Sequence, residues 1–360
     1  MSYRSLCIAM VILFLSGCVD KSIIDDINIQ SAVAIDQIEG DPEKIKGMIL
    51  IQNYLPDQAV ENIRFTSTGK IRRDLLLNIQ KKSSQPIVVG GLMVTIFGDK
   101  ISDYGIAEYV DVYMRESSVG TRNYLATSKS SAIGILAGEY GPRGNATYLR
   151  NLIEHNIEHR DVPKTNLHIF LRDYYSRGKD PYLPEINGVS KDEVEISGIS
   201  LFKGDKEIDV LPKNKMFYFK LLVDNYSNGN FLVTLDKHKT AMVKSIKSKR
   251  KIKISKDHPN KVTFEIHING VVTEYTGGKV TEKVSKEIEK ELEKKVNDEC
   301  MKLLTQFQEQ QIDPIGIGLA YKANIRGTAK KGKNWIGEEY PTLSFDVKTK
   351  IDIRESGVIE

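Results

Sequence analysis

The chain has 360 residues, with 52 Lys and Arg against 48 Asp and Glu and a formal charge of +4. At 40% hydrophobic and 28% charged residues it is too apolar for a disordered protein, and its mean hydropathy of −0.31 excludes a polytopic membrane protein. A charge this slight gives little support to nucleic-acid binding, which needs a clustered basic face.

Arg4 precedes Leu6 to Leu15, ten residues without a charge, and Ser16-Gly17-Cys18 follows. Such a run is about half of what a bilayer-spanning helix requires, but it suits the apolar core of a secretory leader. Small residues before Cys18 fit the narrow groove of a signal peptidase. Leu15-Ser16-Gly17-Cys18 resembles the bacterial lipobox, which implies cleavage after Gly17 and a diacylglyceryl group on the Cys18 thiol. Cys7 then leaves with the leader, and Cys300 alone remains of three cysteines. No intramolecular disulfide can form, so packing must stabilise the fold.

In the mature chain, residues 27–51 read as a strand pair around the turn Gly40-Asp41-Pro42. Thr66 to Lys82 is predicted helical, with Ile71, Leu75, Leu76 and Ile79 on one face. Ile87 to Phe97 reads as a buried strand interrupted at Gly90-Gly91. Helices are then predicted over 101–114, around 130–136, over 147–157 and over 164–175, with a short strand at 124–127. The breaker-rich stretch from Pro181 to Ser190 places a domain boundary between about residues 180 and 195.

Beyond it, Val194 to Phe202 alternates as a strand, and further strands are predicted over 231–235, 241–254 and 262–275. Val280, Val284, Ile288, Leu292 and Val296 recur every four residues, so 279–311 reads as one long helix lying across a sheet. Leu343 to Ile353 alternates with a period of two, a half-buried terminal strand. The fold class expected is α+β, with mixed sheets and packed helices in two to three subdomains and a lipid anchor at the N-terminus. The divisions are a leader over 1–17, an N-terminal α+β domain over 18–190 and a C-terminal α+β domain over 191–360.

Three patterns carry chemistry. His155, Glu158 and His159 match H-x-x-E-H, in which two histidines one helical turn apart bind zinc and the glutamate acts as base. A third ligand is missing nearby, and the flanking Glu154 and Arg160 suit an exposed helix end. Gly327 to Asn334 nearly matches a phosphate-binding loop, but Asn334 stands where a hydroxyl belongs. Between Lys237 and Lys261 ten Lys or Arg face a single acid, Asp257. There Lys247, Lys249, Lys251 and Lys253 alternate along a strand, either guarding a solvated edge or meeting anionic headgroups or an acidic partner.

The order of motifs resembles the C subunits of spore nutrient germinant receptors, the Ger(x)C lipoprotein family. It rests on the lipobox followed by Asp20, and on Val88-Val89-Gly90-Gly91 followed by Gly98 to Ala107 and Arg115. Ile199 to Lys203, Asp313-Pro314-Ile315-Gly316-Ile317-Gly318, Tyr340-Pro341 and Gly357 complete it. Val19-Asp20 departs from the family's common Trp-Asp, and Gly90-Gly91 from its Gly-Glu. The resemblance implies an α+β lipoprotein on the outer face of the inner spore membrane. It would assemble there with integral membrane A and B subunits, without catalysis, cofactor, metal or nucleic acid. The rival expectations are a lipid-anchored ligand-binding protein and a zinc hydrolase using His155, Glu158 and His159.

Overall fold

The structure is a computed structural model describing residues 26–54, 60–116, 118–120, 123–225, 229–236, 239–255, 257–325 and 335–354. The leader with Gly17 and Cys18, Asp20, the loop 327–334 and Gly357 lie outside the described residues.

The first strands are β1 (Asn28–Ile38), β2 (Asp41–Asn53) and β3 (Glu61–Gly69), an antiparallel meander turning at Gly40, where φ is +78°. Helix α1 (Arg72–Gln80) follows, then β4 (Ile87–Val88) and β5 (Val94–Gly98), both parallel to β1. The strand predicted over 87–97 is therefore two strands, broken at the glycine pair. The helix predicted from Thr66 begins only at Arg72, because Thr66 to Gly69 pair with Ile45 to Met48 instead.

Helices α2 (Asp99–Tyr104) and α3 (Ala107–Arg115) divide the single helix predicted over 101–114. Gly105 breaks it at φ +121°, and a Cβ there would lie 2.5 Å from the Asp205 carboxylate. Next come β6 (Tyr124–Ser128), α4 (Ala132–Leu136), α5 (Asn145–His159) and α6 (Leu167–Tyr175). Strands β7 (Tyr182–Gly188), β8 (Val194–Lys203) and β9 (Lys206–Pro212) complete a nine-stranded sheet of order β3-β2-β1-β5-β6-β7-β8-β9, with β4 beside β1. The breaker-rich stretch thus holds a strand, and β7 pairs antiparallel with β8 across residues 188–194.

Both faces of this sheet are covered, so the middle of its central strands is buried on both sides. In β1, Val33 and Ile35 join the core with Phe97, Tyr113 and Phe170, while Ala32 and Ala34 join Leu136, Leu149 and Ile153 on the other side. The period of two sends alternate residues to opposite cores.

A second sheet has the order β10-β11-β12-β13, from β10 (Asn230–Asp236), β11 (Lys239–Ile254), β12 (Lys261–Tyr275) and β13 (Ser344–Arg354). Between the sheets lie α7 (Lys213–Val223) and α8 (Glu282–Glu309), followed by α9 (Ile317–Asn324). Their core joins Ile199 and Leu201 of β8 with Phe219, Phe264, Leu292 and Phe307. It contains Cys300, whose thiol is fully buried and pushed up by desolvation.

Helix α8 has a second role. Its buried stripe of Ile288, Leu292, Val296, Cys300 and Leu304 fills the core, while Glu289, Glu293 and Asn297 form a row along its side. These accept hydrogen bonds from the backbone N–H groups of Ile353 (2.8 Å), Ile351 (2.9 Å) and Thr349 (3.0 Å). Four helical residues rise about 6 Å and two strand residues about 6.6 Å. The i+4 row therefore keeps step with alternate residues of β13 and closes the open edge of the sheet.

Glu207 of β9 is less well served, since its Oε2 is buried without a hydrogen-bond partner. Burial, followed by Glu185, Asp103 and Asp99, pushes its carboxyl up to about 8 against the pull of Ser200. The unfolded chain releases that proton near the ordinary value of 4.5.

Two outcomes are expected in urea unfolding. Glu293→Ala leaves the Ile351 N–H without its acceptor and should cost about 1–2 kcal/mol, whereas Glu291→Ala on the exposed side should stay within about 0.5 kcal/mol. Because the fold holds the Glu207 proton longer than the unfolded chain does, stability should fall as pH rises from 4.5 towards 8. Glu207→Gln should thus stabilise on the order of 3 kcal/mol at pH 8.5, the gain fading towards pH 4.5.

Candidate functional site

The alternating lysines lie on β11 as the pattern requires. Lys247, Lys249, Lys251 and Lys253 are exposed, while Ser248 is buried and Arg250 turns inward to donate to the Val223 carbonyl at 3.0 Å. A bulge between Ser245 and Lys247 inserts one residue into β11. The insertion moves the inward positions from odd, Ala241 and Val243, to even, Ser248, and so the outward positions from even to odd.

Strand β10 pairs with β11 only as far as Lys244, so the lysine row has a single strand neighbour, β12. The cations stand on the outer face of a strand segment without a second strand neighbour, a placement that suits edge protection as well as contact with an acidic surface. Beside them lie Thr263, Glu265, His267 and Asn269 of β12, then Asp346, Lys348, Lys350 and Asp352 of β13. Lys253 pairs with Glu265 at 2.6 Å, His267 and Lys350 reach Asp352 at 3.0 and 3.2 Å, and Lys348 reaches Asp346 at 3.6 Å. Lys247, Lys249 and Lys251 make no ion pair among the described residues. The face therefore has a neutralised half and a cationic half, the second able to meet an acidic surface.

His155, Glu158 and His159 sit at the C-terminal end of α5 and are all exposed. The two imidazoles are 5.1 Å apart between ring centres, and His159 Nε2 approaches its neighbour Glu158 at 3.7 Å. No group of three or more His, Cys, Asp or Glu that could hold a metal occurs among the described residues.

What fixes this helix end is Lys220 of α7, a residue the sequence pattern did not single out. It is 1% exposed, and its Nζ donates to the carbonyls of Ile157 at 2.7 Å and Arg160 at 2.6 Å. A cation at a helix C-terminus satisfies carbonyls that lack intrahelical partners. Burial pulls its ammonium down, while Asp224 and Asp161 support the charge. Next to it lies a cleft of about 350 Å³ lined by Tyr124, Glu158, Lys164, Asn166, Lys220 and Asp224. Glu158 borders it, and neither histidine does.

The most connected polar group is Asp313, fully buried in the segment after α8. Its carboxylate accepts from the backbone N–H groups of Gly316 (2.8 Å), Ile317 (2.9 Å) and Gly318 (2.7 Å), and from the Trp335 indole at 3.2 Å. Burial raises its pKa to about 6 against these donors, so the carboxylate is ionised at neutral pH. Asp180 bonds the same segment from the other half of the chain. Its backbone N–H donates to the Asp313 carbonyl (2.9 Å), and its carboxylate accepts from the N–H groups of Asp313 (2.7 Å) and Gly204 (3.2 Å). Gly178 and Gly318 meet there so closely that a Cβ on Gly318 would lie 2.7 Å from the Gly178 Cα.

Among the described residues no helix is long and apolar enough to cross a membrane. Comparison with known proteins gives this arrangement a context. Residues 20–187 match the family described as "Spore germination protein N-terminal domain", and residues 197–357 match "Spore germination B3/ GerAC like, C-terminal". The chain is 31% identical over 355 residues to the spore germination protein GerQC of Bacillus cereus, covering 96% of this chain and 97% of that protein. It is 22% identical over 385 residues to the putative spore germination protein YfkR of Bacillus subtilis (strain 168), covering 99% and 97%. The crystal structure of the GerBC protein superposes with a TM-score of 0.56 at 16% identity, covering 89% of this chain and 96% of that one, and so shares its fold. The chain belongs to the Ger(x)C family, the C-subunit family of spore germinant receptors.

Proposed function

We propose that this protein is a non-catalytic lipoprotein subunit of a nutrient germinant receptor, cleaved after Gly17 and lipid-anchored through Cys18 on the outer face of the inner spore membrane. It would assemble there with integral membrane A and B subunits. The observation that carries this reading is the full-length match to a spore germination protein, at 31% identity over 96% of the chain. Two acyl chains hold a protein stably where one is marginal. The body they hold needs no spanning segment of its own.

The division into an N-terminal α+β domain over 18–190 and a C-terminal α+β domain over 191–360 is proposed, supported by a core that draws almost wholly on residues after 190, with the β7–β8 pairing and the Asp180–Asp313 contact joining the two. The cationic half of the outer face, Lys247, Lys249 and Lys251, is proposed as the docking surface for an acidic patch of a membrane subunit. Alternate residues of a strand space these charges by about 6.6 Å.

Intact mass of the protein from sporulating cells should show a lipid-sized addition on a chain beginning at Cys18, lost together with membrane association in Cys18→Ala. Spores carrying Cys18→Ala should lose most of their response to this receptor's nutrients, and an unmodified chain that still partitions into detergent would sink the anchor.

Reversal of Lys247, Lys249 and Lys251 to Glu should cut co-purification of the membrane subunits at least tenfold without lowering thermal stability. Unchanged assembly would discard the docking surface.

A further inference from the structure

We infer that the outward face of α1 is the surface this protein lays on an anionic phospholipid bilayer, a placement that rests on the lipid anchor proposed at Cys18. The first observation is where the chain joins the fold. The backbone N–H of Asn28 donates to the Pro86 carbonyl at 2.9 Å, and its side chain donates to Ser83 Oγ at 2.8 Å. Asn28 and Ile29 pair with Ile87 and Val88. Gln80, the last residue of α1, clasps the same loop, accepting from the Ile87 N–H at 3.0 Å and donating to the Gln85 carbonyl at 3.2 Å. The end of α1 is thus one side chain away from the start of β1. Nine residues lie between Cys18 and Asn28, and the ten steps of chain that join them span at most about 35 Å. The acyl chains therefore stay within reach of this helix.

The second observation is the character of that face. Leu75 and Ile79 are 3% and 0% exposed and point into the core. At 100° per residue, Arg73, Leu77 and Lys81 form the row directly opposite them. Leu77 is 58% exposed, and Ile71, in extended backbone just before the helix, is 60% exposed. Lys70 and Lys82 flank the row. Lys70 reaches Glu43 at 3.6 Å, and Lys82 donates to the Thr66 carbonyl. Arg73 and Lys81 make no ion pair among the described residues. Asp74 is turned back to accept from the Lys70 N–H.

Apolar side chains between cations are what an interfacial helix presents, the leucine entering below the headgroups and the charges meeting phosphates. Such a helix fixes which way the tethered body faces. A lipid anchor by itself fixes only its height.

The test uses the mature, lipid-bearing full chain reconstituted in vesicles of phosphatidylglycerol and phosphatidylcholine. Leu77→Cys and, as a control far along the sequence, Leu319→Cys are labelled with an environment-sensitive dye, Cys300 being too buried to react. Quenching by nitroxide-bearing lipid and protection from iodide should each be at least fivefold greater at position 77 than at 319. Adding Arg73→Gln and Lys81→Gln should reduce the effect roughly fivefold per charge, as should vesicles of phosphatidylcholine alone.

Equal exposure at the two positions, on a chain whose mass shows the lipid, would overturn the face and leave the anchor standing. A chain without lipid would overturn both. Protection from iodide in native membranes without quenching by lipid would mean that another protein covers the helix, and would also overturn the proposal.

Discussion

The architecture depends on one buried carboxylate. Asp313 is wholly removed from water, and every one of its partners is a donor, so an ion must be supplied with hydrogen bonds or cost several kcal/mol. Three consecutive backbone N–H groups converge on it only because Gly316 adopts φ +86°. That same turn starts α9, whose N-terminal dipole adds to the stabilisation. The indole of Trp335 closes the shell from beyond α9. Asp180 then binds the Asp313 backbone to the turn between β8 and β9, and the glycine contact at 178 and 318 leaves no room for a side chain. One charge thereby fixes the end of α8, the start of α9 and the approach to β7.

Where α8 ends is important because the helix works on two sides. Its apolar stripe closes the core between the sheets, and its Glu289, Glu293 and Asn297 row closes the edge of β13. A shift of one residue along the helix would rotate that row by 100° and release all three strand N–H groups. The register set by Asp313 and the protection of the sheet edge are thus one constraint. With the edge closed by α8, the outer face with its lysines is left open for contact.

Much of this was legible from the sequence where one periodicity dominated. The hairpin of β1 and β2, then β8, β10 to β13 and the long helix all follow patterns that tertiary context does not disturb. Helix α7 was missed because Met216 to Leu222 are buried on every side, leaving no polar stripe to mark the period. Strand β3 was missed because it is a polar edge strand, and β7 because Pro184 and Gly188 read as breakers. The lysine row was legible as a face, and the bulge that preserves it was not. The role of Asp313 was hidden, since its partner Asp180 lies 133 residues away in sequence. Conversely, H-x-x-E-H was legible as a spacing, and its side chains stand exposed at a helix end with Glu158 alone bordering the cleft.

The lysine face is modest in energy. Exposed charges contribute little singly, and screening confines them to contact within about 8 Å. Three lysines would not hold a freely diffusing protein against an acidic patch. A body of this length has a radius of gyration of about 21 Å, comparable with the reach of a ten-residue tether, so an anchored molecule presents its faces to membrane neighbours at an effective concentration in the millimolar range. Under that condition a weak surface is sufficient, and weakness has a use. On the proposed reading the anchor would provide residence and the lysines choice of partner, so that the two could be altered independently.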